Sequence, residues 1–202
     1  MLISVTSFFR NPLAFEALKE KVFPKLVQQP RDKPLRIWVP GCSTGQEAYS
    51  IAMSFVEFSE QASHARKLQL FATDVNGAVL DKGRAGLYAK SLVHDLSRER
   101  LRRFFVEENG DYRVAKFLRE MVLFARQNLL SDPPFSQMDL VSCRNLLIYL
   151  EQDLQQKILS TFHYALKPGG FLFLGESEST GSLRDLFETV NKNNKSFPKR
   201  LA

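Results

Sequence analysis

The sequence predicts a doubly wound α/β fold with a mostly parallel sheet, and two observations support that fold class. Five short apolar segments alternate with segments of helical spacing, and 44% of the 202 residues are apolar. The short segments are apolar throughout, as strands are when helices cover both faces of a sheet. Strands are therefore predicted at residues 35–39, 68–73, 121–125, 138–142 and 170–174.

Amphipathic segments between these strands predict the crossover helices. Residues 46–60 carry apolar side chains at helical spacing between the first two strands. Residues 151–166 do so between the fourth and fifth strands, and the Lys-Pro-Gly-Gly run at 167–170 is a helix stop signal. A further helix is predicted at residues 13–27, ahead of the first strand. In such a fold, ligands bind beyond the carboxyl ends of the strands.

One region fits the alternation less well and predicts a small inserted subdomain at residues 86–120. Within it, residues 98–107 have a helix-like pattern, and residues 110–114 resemble a turn into a short strand. The predicted organisation is therefore an N-terminal segment of residues 1–34, which holds one helix, followed by a main domain of residues 35–202 that carries the insertion.

The charge balance is basic, with a net charge of +6, and it favours an acidic partner. Most basic residues are dispersed, but four arginines cluster in the segment SRERLRRFF: Arg98, Arg100, Arg102 and Arg103. Two interpretations of this cluster stay open. It is either a solvated helix face or a docking patch for nucleic acid or an acidic protein.

Several classes of protein are disfavoured by what the sequence contains. Cys42 and Cys143 are interpreted as reduced thiols, because neither their number nor their spacing suits a disulfide framework or a zinc site. His64, His94 and His163 are scattered, so we predict no metal site. The apolar runs fall short of the roughly 18 residues that cross a bilayer, and no secretory signal is evident. We expect a cytoplasmic protein without direct membrane insertion.

A glycine turn at residues 40–45 joins the first predicted strand to a helix. Gly41 lets the backbone approach a ligand closely, although a purely steric need for glycine would look the same. Asp74 ends the second strand, where a carboxylate can accept hydrogen bonds from ribose hydroxyls. Alternatively, Asp74 caps a helix that begins near Asn76. A dinucleotide enzyme is also open at this point, although no second nucleotide-binding half is evident.

The third and fourth predicted strands end in matching Asn-Leu pairs, Asn128-Leu129 and Asn145-Leu146. An Asn amide offers both a donor and an acceptor, which suits the edge of an adenine or an amino acid group. A neighbouring Leu can pack on the face of a ring. The alternative for each Asn is the common one of forming a turn.

Seven ordered motifs resemble one family, the CheR-type protein-glutamate methyltransferases, which belong to the class I enzymes that use S-adenosylmethionine. The resemblance runs through nearly the whole chain. The motifs are VTSFFR at 5–10, GCSTGQEAYSIAM at 41–53, ATDV at 72–75, Gly-Leu-Tyr at 86–88, QNL at 127–129, CRNLLIYL at 143–150 and LKPGGFLFLGESE at 166–178.

The resemblance implies methyl transfer from S-adenosylmethionine to glutamates of a methyl-accepting receptor or related signalling protein, leaving S-adenosylhomocysteine. It places Arg10 and Tyr149 at the reaction centre, although Tyr149 is alternatively a core aromatic. Neither is expected to act as a nucleophile. A monomer that binds no nucleic acid is expected. The cofactor contacts implied by the motifs are Ser4, Thr6, Arg10, Gly41, Glu47, Asp74, Asn128, Leu129, Asn145 and Leu146.

The sequence departs from the family in two ways. Ser4 stands where members often carry Asn, and its shorter reach predicts weaker cofactor binding. Members usually also carry an N-terminal helical domain implicated in receptor recognition, whereas this chain begins almost at VTSFFR. We expect either an excised domain or a different mode of recognition.

Two other functions stay open. The first is a non-catalytic module that binds the cofactor or its product and reports it to attached domains. The second is a nucleic-acid methyltransferase, because residues 132–135 spell the Asp-Pro-Pro-Phe motif of amino-methylating enzymes. That motif precedes the fourth strand instead of following it, and the charges form no continuous basic stripe. The glutamate methyltransferase is therefore the favoured function.

Overall fold

The structure is a computed structural model, and it describes residues 6–28, 33–62, 66–183, 185–187 and 196–200. Within these residues, no helix is long and apolar enough to cross a lipid bilayer. The strands are β1 Leu35–Pro40, β2 Leu68–Asp74, β3 Leu87–Tyr88, β4 Phe105–Glu108, β5 Asp111–Val114, β6 Val122–Arg126, β7 Met138–Cys143, β8 Leu166–Leu174 and β9 Ser196–Pro198. The α-helices are α1 Pro12–Ala17, α2 Phe23–Leu26, α3 Gln46–Gln61, α4 Gly77–Ala85, α5 Arg98–Phe104, α6 Lys116–Glu120 and α7 Gln152–Ala165.

The main sheet has the order β6-β2-β1-β7-β8-β9. The four pairings among β6, β2, β1, β7 and β8 are parallel, and only β9 runs antiparallel to its neighbour β8. Strand β1 is buried along nearly its whole length, and β7 is buried throughout, as expected for central strands covered by helices on both faces. The predicted fold class is therefore confirmed.

Strand β8 begins earlier than predicted. Met138 pairs with Leu166, and Leu140 pairs with Phe171, so the intervening residues 167–170 bulge out of the ladder. The Lys-Pro-Gly-Gly run ends the helix at Ala165, as predicted, but it lies inside the strand as a bulge. Proline has no N–H to donate to a ladder, and a bulge is one of the places where a strand accepts it.

The N-terminal helix is continuous but changes its winding. A π-helical turn at Leu18–Val22 separates α1 from α2, and the N–H of Phe23 donates to the carbonyl of Leu18. Pro24 accounts for the change, because it lacks the N–H that an α-helix would need at this point. The predicted helix at residues 13–27 thus exists at residues 12–26 in three pieces.

A second, three-stranded antiparallel sheet lies inside the predicted insertion, with the order β3-β5-β4. The prediction of helix through residue 107 is wrong, because α5 ends at Phe104 and β4 follows at once. Asn109 and Gly110 both have positive φ, 53° and 87°, and form the two-residue hairpin between β4 and β5. Asn-Gly is a strong hairpin signal, and here it prevails over the helical spacing. The division of the chain into domains stays a prediction.

Two of the four clustered arginines form ion pairs within the chain. Arg100 binds Glu57 of α3 through two hydrogen bonds of 2.6 and 2.8 Å, and Arg103 forms an ion pair with Glu60. The Arg100 guanidinium also lies 3.7 Å from the centre of the Phe9 ring. Two of the four arginines therefore attach α5 to the rest of the molecule, which weakens the interpretation of this cluster as a docking patch.

We expect Glu57 to make the stability of the domain depend on acidity. Burial disfavours its charged form, but hydrogen bonds and charge from Arg100 and Lys19 outweigh burial and lower its pKa. A carboxyl group with a lowered pKa in the folded state stabilises the fold above its unfolded pKa of about 4.3 and loses this contribution as the pH falls through its folded pKa.

Urea unfolding at several pH values tests this prediction. The free energy of unfolding should be lower for Glu57→Gln than for the unmodified chain at pH 7, and the gap should narrow below about pH 4. Replacement of the exposed Glu99 by Gln is the control and should show little difference at either pH. A gap for Glu57→Gln that does not change with pH would contradict the prediction.

Candidate active site

A cleft of about 810 Å³ opens at the carboxyl ends of the parallel strands, where the sequence predicts a ligand site. The turns after β1, β2, β6 and β7 form its walls together with the segment that precedes α1. Ser4 lies outside the described residues. The structure brings every other predicted site residue to this cleft: Thr6, Arg10, Gly41, Glu47, Asp74, Asn128, Leu129, Asn145, Leu146 and Tyr149. Their individual roles stay predictions.

The glycine turn after β1 needs its glycines for steric reasons. Gly41 has φ +65°, and a Cβ added there would lie 2.9 Å from the Leu146 side chain. Gly45 has φ +92°, and a Cβ there would lie 2.9 Å from the Phe124 ring. The turn therefore has a steric need for glycine, and ligand binding by Gly41 stays a prediction that its position in the cleft lining supports.

The carboxylate of Asp74 holds the glycine turn beside the end of β2. It accepts a hydrogen bond of 2.9 Å from the N–H of Ser43 and one of 3.0 Å from the N–H of Asn76. Asn76 is itself the N-cap of α4, since its side chain accepts from the N–H of Ala78. The alternative role of Asp74 as a helix cap is thus wrong. Asp74 lines the cleft, and each carboxylate oxygen can accept a second hydrogen bond.

Both asparagines of the Asn-Leu pairs form turns as well as lining the cleft. The Asn128 side chain accepts a 3.0 Å hydrogen bond from the N–H of Leu130. Asn145 has φ 59°, the left-handed conformation that Asn tolerates better than most residues. The turn-forming alternative and the predicted cleft position therefore hold together for both residues.

The Asp-Pro-Pro-Phe run has a structural role, because it supports residues that line the cleft without lining it itself. Asp132 accepts a hydrogen bond of 2.8 Å from the N–H of Asn128, and that bond lowers its pKa. Phe135 packs against the rings of Trp38 and Phe71, with centroid distances of 5.5 and 4.8 Å. The resemblance of this run to an amino-methylating motif is therefore explained by packing.

Arg144 is a site residue that sequence reasoning missed. Its guanidinium donates to both carboxylate oxygens of Glu47, at 3.3 and 3.0 Å, and to the carbonyl of Arg10 at 2.7 Å. It lies between the rings of Phe15 and Phe173, 5.1 and 5.0 Å from their centres, and its side chain is 3% exposed. Arg144 thus joins the end of β7 to α3 and to the N-terminal segment. A charge directly after a buried strand was the available signal.

The N-terminal segment is anchored by its two phenylalanines. Phe8 packs edge-on against Tyr88 and Phe105 of the small sheet, at centroid distances of 4.9 and 5.4 Å. The N–H of Phe9 donates to the Ser50 hydroxyl of α3 at 2.9 Å. These contacts hold the flanking Thr6 and Arg10 at the cleft.

Tyr149 lies at the rim of the cleft and is 50% exposed, so its alternative role as a core aromatic is wrong. It ends the 3₁₀ turn Leu147–Tyr149 that follows the second Asn-Leu pair. Its hydroxyl is therefore available to a second reactant that enters from solvent.

The two cysteines are free, as predicted, and both are buried. Burial raises the pKa of both thiols, with further contributions from Asp74 at Cys42 and from Glu178 and Glu47 at Cys143. Both are therefore neutral thiols and poor nucleophiles at neutral pH. In the described part of the chain, no group of three or more His, Cys, Asp or Glu residues is arranged to hold a metal ion. Independence of metal stays a prediction.

Comparison with known proteins identifies the family. The model of the CheR methyltransferase, SAM binding domain, matches residues 4–196. The chain belongs to this family. The cofactor of this CheR-family domain is therefore S-adenosylmethionine, as the resemblance implied.

Individual relatives agree with the family assignment. The chain is 45% identical over 192 residues to an uncharacterized 104.1 kDa protein of Rhodobacter capsulatus, covering 95% of this chain and 20% of that protein. It is 39% identical over 195 residues to chemotaxis protein methyltransferase 1 of Pseudomonas aeruginosa, covering 94% of this chain and 71% of that enzyme. The domain thus spans a fifth of the first relative and about seven tenths of the second.

A solved structure shows the same fold at low identity. The DszA carbon methyltransferase superposes with a TM-score of 0.52 at 21% identity, covering 81% of this chain and 34% of that chain. The CheR-family domain therefore shares its overall fold with part of that protein.

Unpaired polar atoms in the cleft walls fit a polar cofactor. The Ser43 hydroxyl, the Gln127 amide oxygen and the Arg144 Nε are buried and have no hydrogen-bond partner within the described residues. All three residues line the cleft. Buried polar atoms are normally paired, so a ligand that carries hydroxyl, amino and carboxylate groups suits these walls. The cleft volume also falls in the range of about 300–1,000 Å³ that is usual for cofactor sites.

Proposed function

We propose that this domain transfers a methyl group from S-adenosylmethionine to glutamate side chains of a methyl-accepting receptor or related signalling protein, which yields glutamate methyl esters. The observation that carries the proposal is the presence of a cation, Arg10, and a hydroxyl, Tyr149, in the cleft of a CheR-family domain. The relatives named chemotaxis protein methyltransferases support the choice of acceptor.

Methyl transfer to a glutamate places little demand on acid-base catalysis by the domain. Its unperturbed pKa of about 4.3 makes it a carboxylate at neutral pH, so no general base is needed. When bound, the cofactor supplies an electrophilic methyl group on a positively charged sulfur. The domain must then hold the carboxylate in line with that methyl group and keep water away from both.

We assign the acceptor side of the cleft to two residues. Arg10 orients the carboxylate through its guanidinium, which can donate two parallel hydrogen bonds. Tyr149 positions the carboxylate with its hydroxyl from the rim. The apolar side chains of Leu129, Leu146 and Leu150, which also line the cleft, exclude water from the reacting groups. These apolar surroundings would favour a reaction in which opposite charges are neutralised, because a low dielectric disfavours separated charges.

We assign the cofactor side to residues at the strand ends. Asp74 accepts hydrogen bonds from the ribose hydroxyls, and Asn128 with Leu129 contacts the adenine. Asn145 and Thr6 bind the amino acid end. Glu47, held by Arg144, supplies a carboxylate for the ammonium group. A monomeric state and a cytoplasmic location stay predictions.

A methylation assay tests the proposal. The purified chain is incubated with S-adenosylmethionine labelled in its methyl group and with the cytoplasmic fragment of a methyl-accepting receptor. We expect base-labile label in the receptor, released as methanol at alkaline pH, because carboxylate esters hydrolyse readily. A receptor fragment in which the accepting glutamates are replaced by glutamine is the matched control.

Two outcomes would contradict the proposal. Base-stable label, or transfer to nucleic acid, would indicate a different acceptor group. Micromolar binding of S-adenosylhomocysteine without any transfer would indicate the non-catalytic module instead. Tyr149→Phe should retain binding of S-adenosylhomocysteine and lose most of the transfer if its hydroxyl positions the acceptor.

A further inference from the structure

Glu178 is a buried carboxylate behind the cleft wall. The residue is 3% exposed and lies in the turn that follows β8. Its own N–H donates to the carbonyl of Gly175 at 3.0 Å, which closes that turn. A fully buried carboxylate is costly unless its oxygens are well satisfied, so its hydrogen-bond partners explain why it is there.

Four backbone N–H groups converge on this carboxylate from two separate segments. Oε2 accepts from Asn145 at 2.9 Å and from Gly175 at 2.7 Å. Oε1 accepts from Leu146 at 2.9 Å and from Leu147 at 2.8 Å. Each oxygen thus accepts two donors. A carboxylate can do this because both of its oxygens are acceptors, whereas a Gln amide has one acceptor oxygen and one donor nitrogen.

Three of these donors belong to the loop that carries proposed site residues. Asn145 is held in its left-handed conformation at the cleft, and the side chain of Leu146 lies against Gly41. The N–H of Tyr149 donates to the carbonyl of Leu146 at 3.2 Å, so the rim tyrosine is attached to the same loop. The carboxylate of Glu178 therefore fixes the backbone from which all three side chains enter the cleft.

We propose that Glu178 is a positioning residue for methyl transfer, acting through Asn145, Leu146 and Tyr149 and not by touching either reactant. The proposal deepens the proposed function and rests on it for the methyl transfer step. The expected effect of Glu178 on cofactor binding depends only on the location of Asn145 and Leu146 in the cleft.

Gly175 gives a second way to disturb the same carboxylate. A Cβ added to Gly175 would lie 2.6 Å from Oε2 of Glu178 and 3.0 Å from the N–H nitrogen of Asn145. Gly175→Ala therefore displaces the carboxylate or the loop without removing any hydrogen-bonding group. Agreement between Gly175→Ala and Glu178→Gln would tie the effect to the placement of the loop.

Calorimetric titration with S-adenosylhomocysteine is the primary test, since it needs no acceptor protein. Glu178→Gln should weaken binding about 10-fold, because at least two N–H groups then face an amide NH₂ instead of an oxygen. Gly175→Ala should weaken it in the same direction. The exposed Glu151, which precedes α7, provides the matched control Glu151→Gln, with an expected change of less than about twofold. All titrations are run well below the melting temperature of each variant.

A double-mutant cycle separates positioning from simple stability. Asn145→Gly removes the side chain and retains the left-handed backbone, which Gly adopts readily. If Glu178 acts through Asn145, Glu178→Gln should weaken binding less in the Asn145→Gly background than in the unmodified chain. In the methylation assay, Glu178→Gln should also lower kcat, because Tyr149 shifts with the loop.

Each outcome decides between the two roles. A lower melting temperature with affinity and kcat equal to those of Glu151→Gln would overturn the proposal and leave Glu178 a stabilising residue only. If Glu178→Gln does not fold, Gly175→Ala supplies the same comparison. If the unmodified chain binds S-adenosylhomocysteine but methylates no receptor, the proposed function fails, while the affinities still decide the role of Glu178.

Discussion

Replacing Arg10 with alanine should slow methyl transfer about 100-fold, the loss expected when a preorganised donor is removed, and should change affinity for S-adenosylhomocysteine only a few-fold. The change is local, because the N-terminal segment is held by groups that the substitution leaves in place. Arg144 binds the backbone carbonyl of Arg10, and the N–H of Phe9 is bonded to Ser50. These two contacts should keep the backbone of the segment in place when the Arg10 side chain is removed.

Steady-state kinetics with the receptor fragment, together with calorimetry, check this expectation. Arg10→Lys is the matched variant, since it retains the charge but cannot make the two parallel hydrogen bonds of a guanidinium. It should recover part of the lost rate. Equal losses of transfer and of S-adenosylhomocysteine affinity in Arg10→Ala would make Arg10 a cofactor residue only.

Replacing Asp74 with alanine should weaken binding of S-adenosylhomocysteine about 100-fold, because two kinds of hydrogen bond disappear together. The proposed acceptor for the ribose hydroxyls is lost. The N–H groups of Ser43 and Asn76 also lose their partner, so the glycine turn is no longer held beside the end of β2. The Ser43 N–H is partly buried and the Asn76 N–H is exposed, so most of the expected loss comes from the missing ribose acceptor and from the released turn.

Two further variants separate these contributions by calorimetry. Asp74→Asn retains one acceptor oxygen and should lie between the alanine variant and the unmodified chain. Asp81→Ala removes an exposed acid of the adjacent helix α4, which is paired with Arg84, and should bind normally. Unchanged affinity in Asp74→Ala would place the ribose elsewhere in the cleft.

Much of the fold could be predicted because its signals are local. Strands β1, β2, β6 and β7 were predicted to within a residue or two. For the central strands β1 and β7 the reason is that strands covered on both faces are apolar throughout, whereas the edge strand β6 was recognised by its short apolar run alone. The N-terminal limit of β8 could not be predicted, since the bulge at residues 167–170 is defined only by pairing with β7. The turn into a short strand at residues 110–114 was predicted and is confirmed by β5, whereas the helical spacing before it obscured β4.

The location of the cleft was also determined by the sequence. Carboxyl ends of parallel strands meet at one edge of a sheet, so residues far apart in the chain, such as Asp74 and Asn145, had to converge there. The motifs also indicated the family. Each motif is a weak signal by itself, but seven of them in the same order are specific.

Only the tertiary structure decided which polar groups hold that cleft in shape. Glu47 and Arg144 are 97 positions apart, and Glu178 is 33 positions from Asn145, so no spacing rule connects them. A buried carboxylate needs hydrogen-bond donors around it, and the folded chain decides where those donors come together. The donors are backbone N–H groups for Glu178 and the guanidinium of Arg144 for Glu47. The sequence by itself therefore determined the sheet, the edge at which the cleft opens and the family, whereas packing determined which charges hold the site together.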